Sequence, residues 1–241
     1  MSAALSLADT VRLTEVLLSL AVIQQSAEHM TRAGLERLIF GIRGLIALGL
    51  LIGGSAGPSV AGPSITGLAV AWLFAVELVM LHRFQGPYNG GSSKMTLLII
   101  ACLGAYHLVP TERARELAVA YLAAQLTLSY FVSGYVKVIR PEWRSGAALT
   151  DVFCFSTYPV SERLREWAER PRALWAMSWA VMGFELAFPL TLLHPIALMA
   201  GLLVAASFHF SNALFFGLNR FFWIWICAYP SILWFQGRVF D

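Results

Sequence analysis

The segment Pro195-Ile-Ala-Leu-Met-Ala-Gly-Leu-Leu-Val-Ala-Ala-Ser-Phe-His-Phe-Ser-Asn-Ala-Leu-Phe-Phe216 decides the fold. It contains no Asp, Glu, Lys or Arg, and its one ionisable side chain is His209. A membrane span needs about 20 mostly apolar residues, and this run meets that length. Moving outward, comparable runs lie between breakers at Leu38–Ile52, Ile65–Leu81, Met95–Val109, Glu116–Lys137, Ala173–Leu193 and Phe221–Phe235. The expected fold is therefore all-α: a polytopic transmembrane helix bundle of about seven spans, six to eight in range. Residues 1–241 form one integral membrane domain on this reading. The stretch Val11–Ile23 is shorter in its apolar core, and Glu15, Gln24, Gln25 and Glu28 make it look amphipathic. Residues 1–36 are read as an N-terminal amphipathic segment carrying an interfacial helix, with an eighth span as the alternative.

Composition agrees. The apolar fraction is 58% and the charged fraction 13%, against about 45–50% and about 25% in soluble domains. Eight Trp and 16 Phe exclude a solvated coil. A net charge of +3, with basic residues in short clusters, argues against nucleic-acid binding. Cys102, Cys154 and Cys227 form no CxxC pattern, so neither a disulfide framework nor a zinc site is expected. The first residues carry Asp9 and Glu15 and no early cation, unlike a secretory signal.

Basic residues set the expected orientation. Alternating through seven spans, one side collects Arg12, Arg32, Arg37, Arg83, Lys94, Arg140, Arg144, Arg163, Arg165, Arg170, Arg172 and Arg220. The other collects Arg113, Arg115 and Arg238. The rich side is expected to be cytoplasmic in a multi-pass cell-membrane protein. Residues 138–172 form the one long cytoplasmic loop. Ser161 can cap a short amphipathic helix there, with Leu164, Trp167 and Ala168 on one face.

Charges inside a bilayer are costly and mark function. Six ionisable residues fall in spans: Arg43, Glu77, His107, Lys137, Glu185 and His209. An Arg43–Glu77 ion pair would explain both members structurally, and His107 reads as interfacial. Lys137 stands out, because the only other lysine is Lys94. A desolvated lysine can lose its proton and act as a base, which arginine cannot. Pro189 frees backbone carbonyls one turn beyond Glu185. Asn212 lies three residues after His209 on the same face and can fix its tautomer. The plainer reading of all three is a polar network holding helices together. Phe84–Ser93 lacks the pattern of a phosphate-binding loop and reads as a connecting turn. Gly217–Trp225, which includes Arg220, reads as an aromatic belt with a basic anchor.

Tyr130-Phe-Val-Ser-Gly-Tyr-Val-Lys-Val-Ile-Arg-Pro-Glu-Trp-Arg-Ser-Gly146 resembles the signature of the HTTM superfamily, whose best-known member is vitamin K-dependent gamma-carboxylase. Phe208-His-Phe-Ser-Asn212 resembles a late-span segment of that enzyme, and Asn89-Gly-Gly-Ser stands where the family has an Asn-containing loop. The resemblance covers about Phe84 to Pro230. It implies a helical membrane bundle in which Lys137 matches the lysine that deprotonates a lipid quinol such as reduced vitamin K or menaquinol. By the same resemblance, candidate substrate-binding positions are Asn212, Trp143 and Asn89; Arg220, in the aromatic and basic segment Gly217–Trp225, is a further candidate. Departures are specific. The spacing from Gly134 to Trp143 is one residue longer than in the animal enzyme, its loop His is Gly90 here, and its large soluble C-terminal part has no counterpart in this chain.

Three function classes remain at this point. The first is a membrane-embedded lyase or oxidoreductase acting on a peptide or small molecule, with Lys137 as base and His209 and Glu185 as relay or orienting groups. The second is a non-catalytic subunit or maturation partner of another protein. A channel or carrier ranks last, because the polar sites look scattered and no internal repeat is visible. The lipid bilayer is a partner in every case.

Overall fold

In lipid the backbone must satisfy its own hydrogen bonds, and helices do so within one segment. The computed structural model describes residues 5–31, 33–55, 63–83, 91–156 and 162–240, and every regular element among them is helical. In chain order these are α1 (Leu7–His29), α2 (Leu35–Ser55), α3 (Pro63–Arg83), α4 (Gly91–Leu108) and α5 (Glu112–Ile139). Then follow α6 (Pro141–Ser145), α7 (Ala147–Phe155), α8 (Glu162–Arg165), α9 (Pro171–Ala187), α10 (Pro195–Phe216) and α11 (Asn219–Val239). Short 3-10 turns extend α8 over Glu166–Glu169 and α9 over Phe188–Leu193.

Four stretches are long and apolar enough to cross a membrane: Ile65–Arg83, Glu112–Ile139, Pro171–Leu193 and Pro195–Phe216. These are four of the seven expected spans. The other three expected spans lie on α2, α4 and α11, which are helical but do not reach that combination of length and apolarity.

Local chemistry sets the boundaries. Ser6 caps α1, its hydroxyl accepting from the Asp9 N–H at 3.1 Å. Pro141, Pro171 and Pro195 open α6, α9 and α10, where a missing N–H costs nothing. Gly217 ends α10 at φ 67°, its N–H bonded to Ala213 O at 3.1 Å. Pro189 cannot donate to the Glu185 carbonyl, and the chain tightens from α to 3-10 at Phe188.

The chain divides into two compact units: residues 1–124 with 223–239, and residues 125–222. In the first, α1 packs along α2, α2 along α3 and α3 along α4. Its interior is polar where helices meet. Arg43 is 1% exposed, Glu77 6% and Glu15 5%, whereas Leu45 is 70% exposed and Trp72 66%. This inversion of the usual soluble pattern fits a lipid-facing exterior. The Arg43 guanidinium pairs with Glu77 and donates to Gln25 Oε1 at 3.0 Å, as well as to Val22 O and Ser26 Oγ. The ion pair foreseen from the sequence is therefore present. His107, read as interfacial, meets Glu15 through Nε2. Of the four polar residues that made the N-terminal segment look amphipathic, Glu15 and Gln25 are buried, Gln24 is half-buried and Glu28 is exposed.

In the second unit, α6 and α7 pack on α9, and the 3-10 extension of α9 packs on α10. The stretch expected as a long loop thus holds two further short helices, α6 and α7. The expected amphipathic helix is present as α8 and its 3-10 turn, resting on α7 with Leu164, Trp167 and Ala168 less exposed than Glu162, Arg163, Glu166 and Glu169. Arg165 anchors it by donating to the carbonyls of Cys154 and Ser156 at the end of α7. Ser161, the expected cap, lies outside the described residues.

Removing one member of a buried pair strands the other. Arg43→Leu is expected to destabilise the protein by about 3–5 kcal/mol, and Arg43→Leu/Glu77→Leu to recover most of that loss. Thermal unfolding of the purified protein in detergent measures both.

Candidate functional site

Along α5, Tyr130, Ser133 and Lys137 recur at helical spacing and share one face. Facing them in the second unit is Glu185 on α9, which is buried. The Lys137 ammonium donates to both carboxylate oxygens of Glu185, at 2.7 Å and 2.6 Å. Ser133 completes a triangle: its hydroxyl accepts from Lys137 Nζ at 2.7 Å and donates to Glu185 Oε1 at 3.1 Å. The Lys137 side chain is 15% exposed and that of Glu185 4%, so the amine is the reachable partner.

Two glycines permit this arrangement. A Cβ at Gly134 would lie 2.8 Å from Leu186 N and 2.9 Å from Glu185 Cβ, so α5 and α9 touch beside the ion pair. Gly146 sits at φ 85°, and a Cβ there would lie 2.9 Å from Trp175 N. Its left-handed turn joins α6 to α7 with the backbone pressed against α9. Trp143 on α6 is thereby set with its ring centroid 5.2 Å from Lys137 Nζ, a cation–π distance. Ser178 Oγ donates to the Trp143 carbonyl and Trp179 Nε1 to that of Arg144, pinning α6 to α9.

His209 lies one step along the same α5 face. It is buried, and its Nε2 meets the Tyr130 hydroxyl at 3.0 Å. The partner at Nε2 thus comes from α5 and not from Asn212 on the same helix. Asn212 is half-buried, and its carbonyl accepts the Leu218 N–H in the turn ending α10. Aromatic rings fill the space around Tyr130: Phe188 at 4.2 Å between centroids and Phe184 at 6.1 Å.

The structure therefore joins Lys137, Glu185 and Trp143, and places His209 in an adjoining pair with Tyr130. Arg220 lies in the first turn of α11. Asn89 lies outside the described residues. Sequence reasoning assigned no role to Tyr130 or Ser133. Their spacing to Lys137 is the signal that singles them out. Chemically, the cluster can bind a proton at the amine, hold it on the carboxylate, and orient both through the serine hydroxyl.

A family model described as HTTM domain matches residues 110–236, more than half of the chain. Comparisons with curated proteins and with solved structures found no match.

Gly134→Val places a branched side chain against the α9 backbone. It is expected to cost about 1–3 kcal/mol through overpacking and to lengthen the Lys137–Glu185 contact. The unfolding midpoint, together with amine-labelling rates at Lys137, checks this: labelling rises as the pair opens.

Proposed function

The chain belongs to the HTTM domain family of carboxylase-like membrane proteins, and from that premise we propose that it is a membrane-embedded enzyme in which Lys137 is the general base. One observation carries this reading. A rare lysine on an apolar helix is held by Glu185, Ser133 and Trp143 within one cluster. Lys137 first passes its ammonium proton to Glu185, the freed amine then takes up the substrate's proton, Ser133 orients both groups, and the His209–Tyr130 pair supplies a second proton-handling step. A peptide or small molecule is the substrate class.

The family implies a lipid quinol as cosubstrate, and the donor set suits one: a single acid–base pair beside the rings of Trp143, Tyr130, Phe184 and Phe188. A bound quinol would supply a hydroxyl proton and reducing equivalents. The protein's part is to accept that proton at Lys137 Nζ and to keep water from the site with its aromatic wall. The Arg-rich segments face the cytoplasm of a cell membrane on this reading.

A second reading, a non-catalytic subunit or maturation partner, draws on the same geometry. The Lys137–Glu185 pair ties α5 to α9 and can serve as a structural bridge alone. Oxygen-dependent consumption of menaquinol by the purified protein separates the two. Catalysis predicts that Lys137→Ala lowers the rate at least about 100-fold, with no rescue by Lys137→Arg. An unchanged rate in folded Lys137→Ala removes the base. Co-purification of a stoichiometric partner with that variant then favours the subunit.

A further inference from the structure

The residues Arg12, Glu15, Arg43, Glu77 and His107 all precede the stretch matched by the family model. Their arrangement follows α1. Near its start, the Glu15 carboxylate meets His107 Nε2 and receives a 3.3 Å bond from Arg12. Further along, Gln25 and Ser26 receive Arg43, which also holds Glu77. At the end of α1, His29 Nδ1 meets Glu36 at 3.2 Å. The two ends are partly open: side-chain exposure is 27% for Arg12, 22% for His29 and 23% for Glu36. Between them Glu15, Ser19, Gln25, Ser26, Arg43 and Glu77 are buried and His107 is half-buried.

Among the described residues three buried side-chain polar atoms lack a protein partner: Gln24 Oε1 on a half-buried residue, and two on fully buried residues of α1. Ser19 Oγ is one, on a residue with 0% exposure. Gln25 Nε2 is the other, on a residue with 3% exposure. The orientation of the Gln25 amide is set by chemistry, because Arg43 only donates and so must face Oε1. Its Nε2 is left pointing elsewhere as an unanswered donor. Buried groups of this kind are ordinarily met by internal water. Ser19 lies between the Glu15 cluster and the Gln25 cluster.

We propose that the inner face of α1 carries a hydrated proton route through the first unit, running from Arg12–Glu15–His107 past Ser19 and Gln25 to Arg43–Glu77 and out at His29–Glu36. The distance from Arg12 to His29 is about 25 Å at about 1.5 Å per residue, close to the roughly 30 Å of a bilayer core. A proton enters at the His107–Glu15 pair and passes through water held by the Ser19 hydroxyl, which both accepts and donates. Water held by Gln25 hands it to Glu77. Arg43 keeps its own proton and serves to hold Glu77 in place. Each step breaks one O–H or N–H bond and forms another, so nothing is oxidised and no reagent is consumed. α1 then crosses the membrane with its polar side on protein, which explains why its apolar run reads short.

The full chain, reconstituted in phospholipid vesicles with an entrapped pH dye and driven by a potassium gradient with valinomycin, tests the route. Proton uptake should exceed that of protein-free vesicles. Glu15→Gln and Ser19→Val should each reduce the excess about tenfold, as expected for one lost hydrogen-bonded link. Thr14→Val is the control: the Thr14 hydroxyl bonds only to the Thr10 carbonyl on its own helix, and its uptake should match the parent. Ser19→Ala replaces Ser19→Val if the larger side chain prevents folding. Uptake at the protein-free level overturns the proposal. So does parent-level uptake in both Glu15→Gln and the Ser19 variant, or an equal loss in Thr14→Val.

Discussion

A charge inside a lipid-exposed helix bundle must find its counter-charge within the protein, because the surroundings offer no water to screen it. That constraint organises each unit. Arg43 reaches Glu77 across α2 and α3, Glu15 reaches His107 across α1 and α4, and Lys137 reaches Glu185 across α5 and α9. Each pair joins two different helices, consecutive in the case of α2 and α3 and farther apart in the other two. Leucines and tryptophans occupy the exterior, where a soluble protein would carry charge. Such pairs fix which helices can be neighbours and at what rotation, and dispersion packing fills the rest.

The Lys137 pair differs from the other two in its surroundings. Arg43 is wrapped by Val22, Gln25 and Ser26 and cannot give up a proton. Lys137 has fewer constraints: one carboxylate, one hydroxyl and the face of a tryptophan. An ammonium so placed is accessible and has an acceptor in contact, which is the geometry proton transfer needs. The same helix face continues to Tyr130 and His209, so proton-handling groups follow α5 for about two turns.

Long elements were legible because hydropathy and breakers act locally. The run from Pro195 to Phe216 was bounded by its own residues and is the helix observed. Residues 138–172 read as a loop because α6 and α7 are too short to show a span's apolar length, although Pro141 and Gly146 punctuate them. The Arg43–Glu77 pair was foreseen because two charges in neighbouring spans demand each other. Glu185 was singled out, yet its contact with Lys137 was not, since helix rotation about its axis is set by packing at positions such as Gly134. For the same reason His209 was matched with Asn212, a neighbour along its own helix, while Tyr130 arrives from another. Spacing within one helix is written in the sequence; facing across helices depends on tertiary contacts.

Pro189 has an effect on reach. From Pro171 to Ala187 the chain rises as an α-helix, and from Phe188 to Leu193 as a 3-10 helix. A 3-10 turn gains about 2.0 Å per residue against about 1.5 Å. Over those six residues the difference is about 3 Å. One proline therefore lets this 23-residue stretch bridge a thicker slab of hydrocarbon than its residue count allows. It also narrows the helix where it meets α10. Matching to bilayer thickness is here a property of helix type as well as of length.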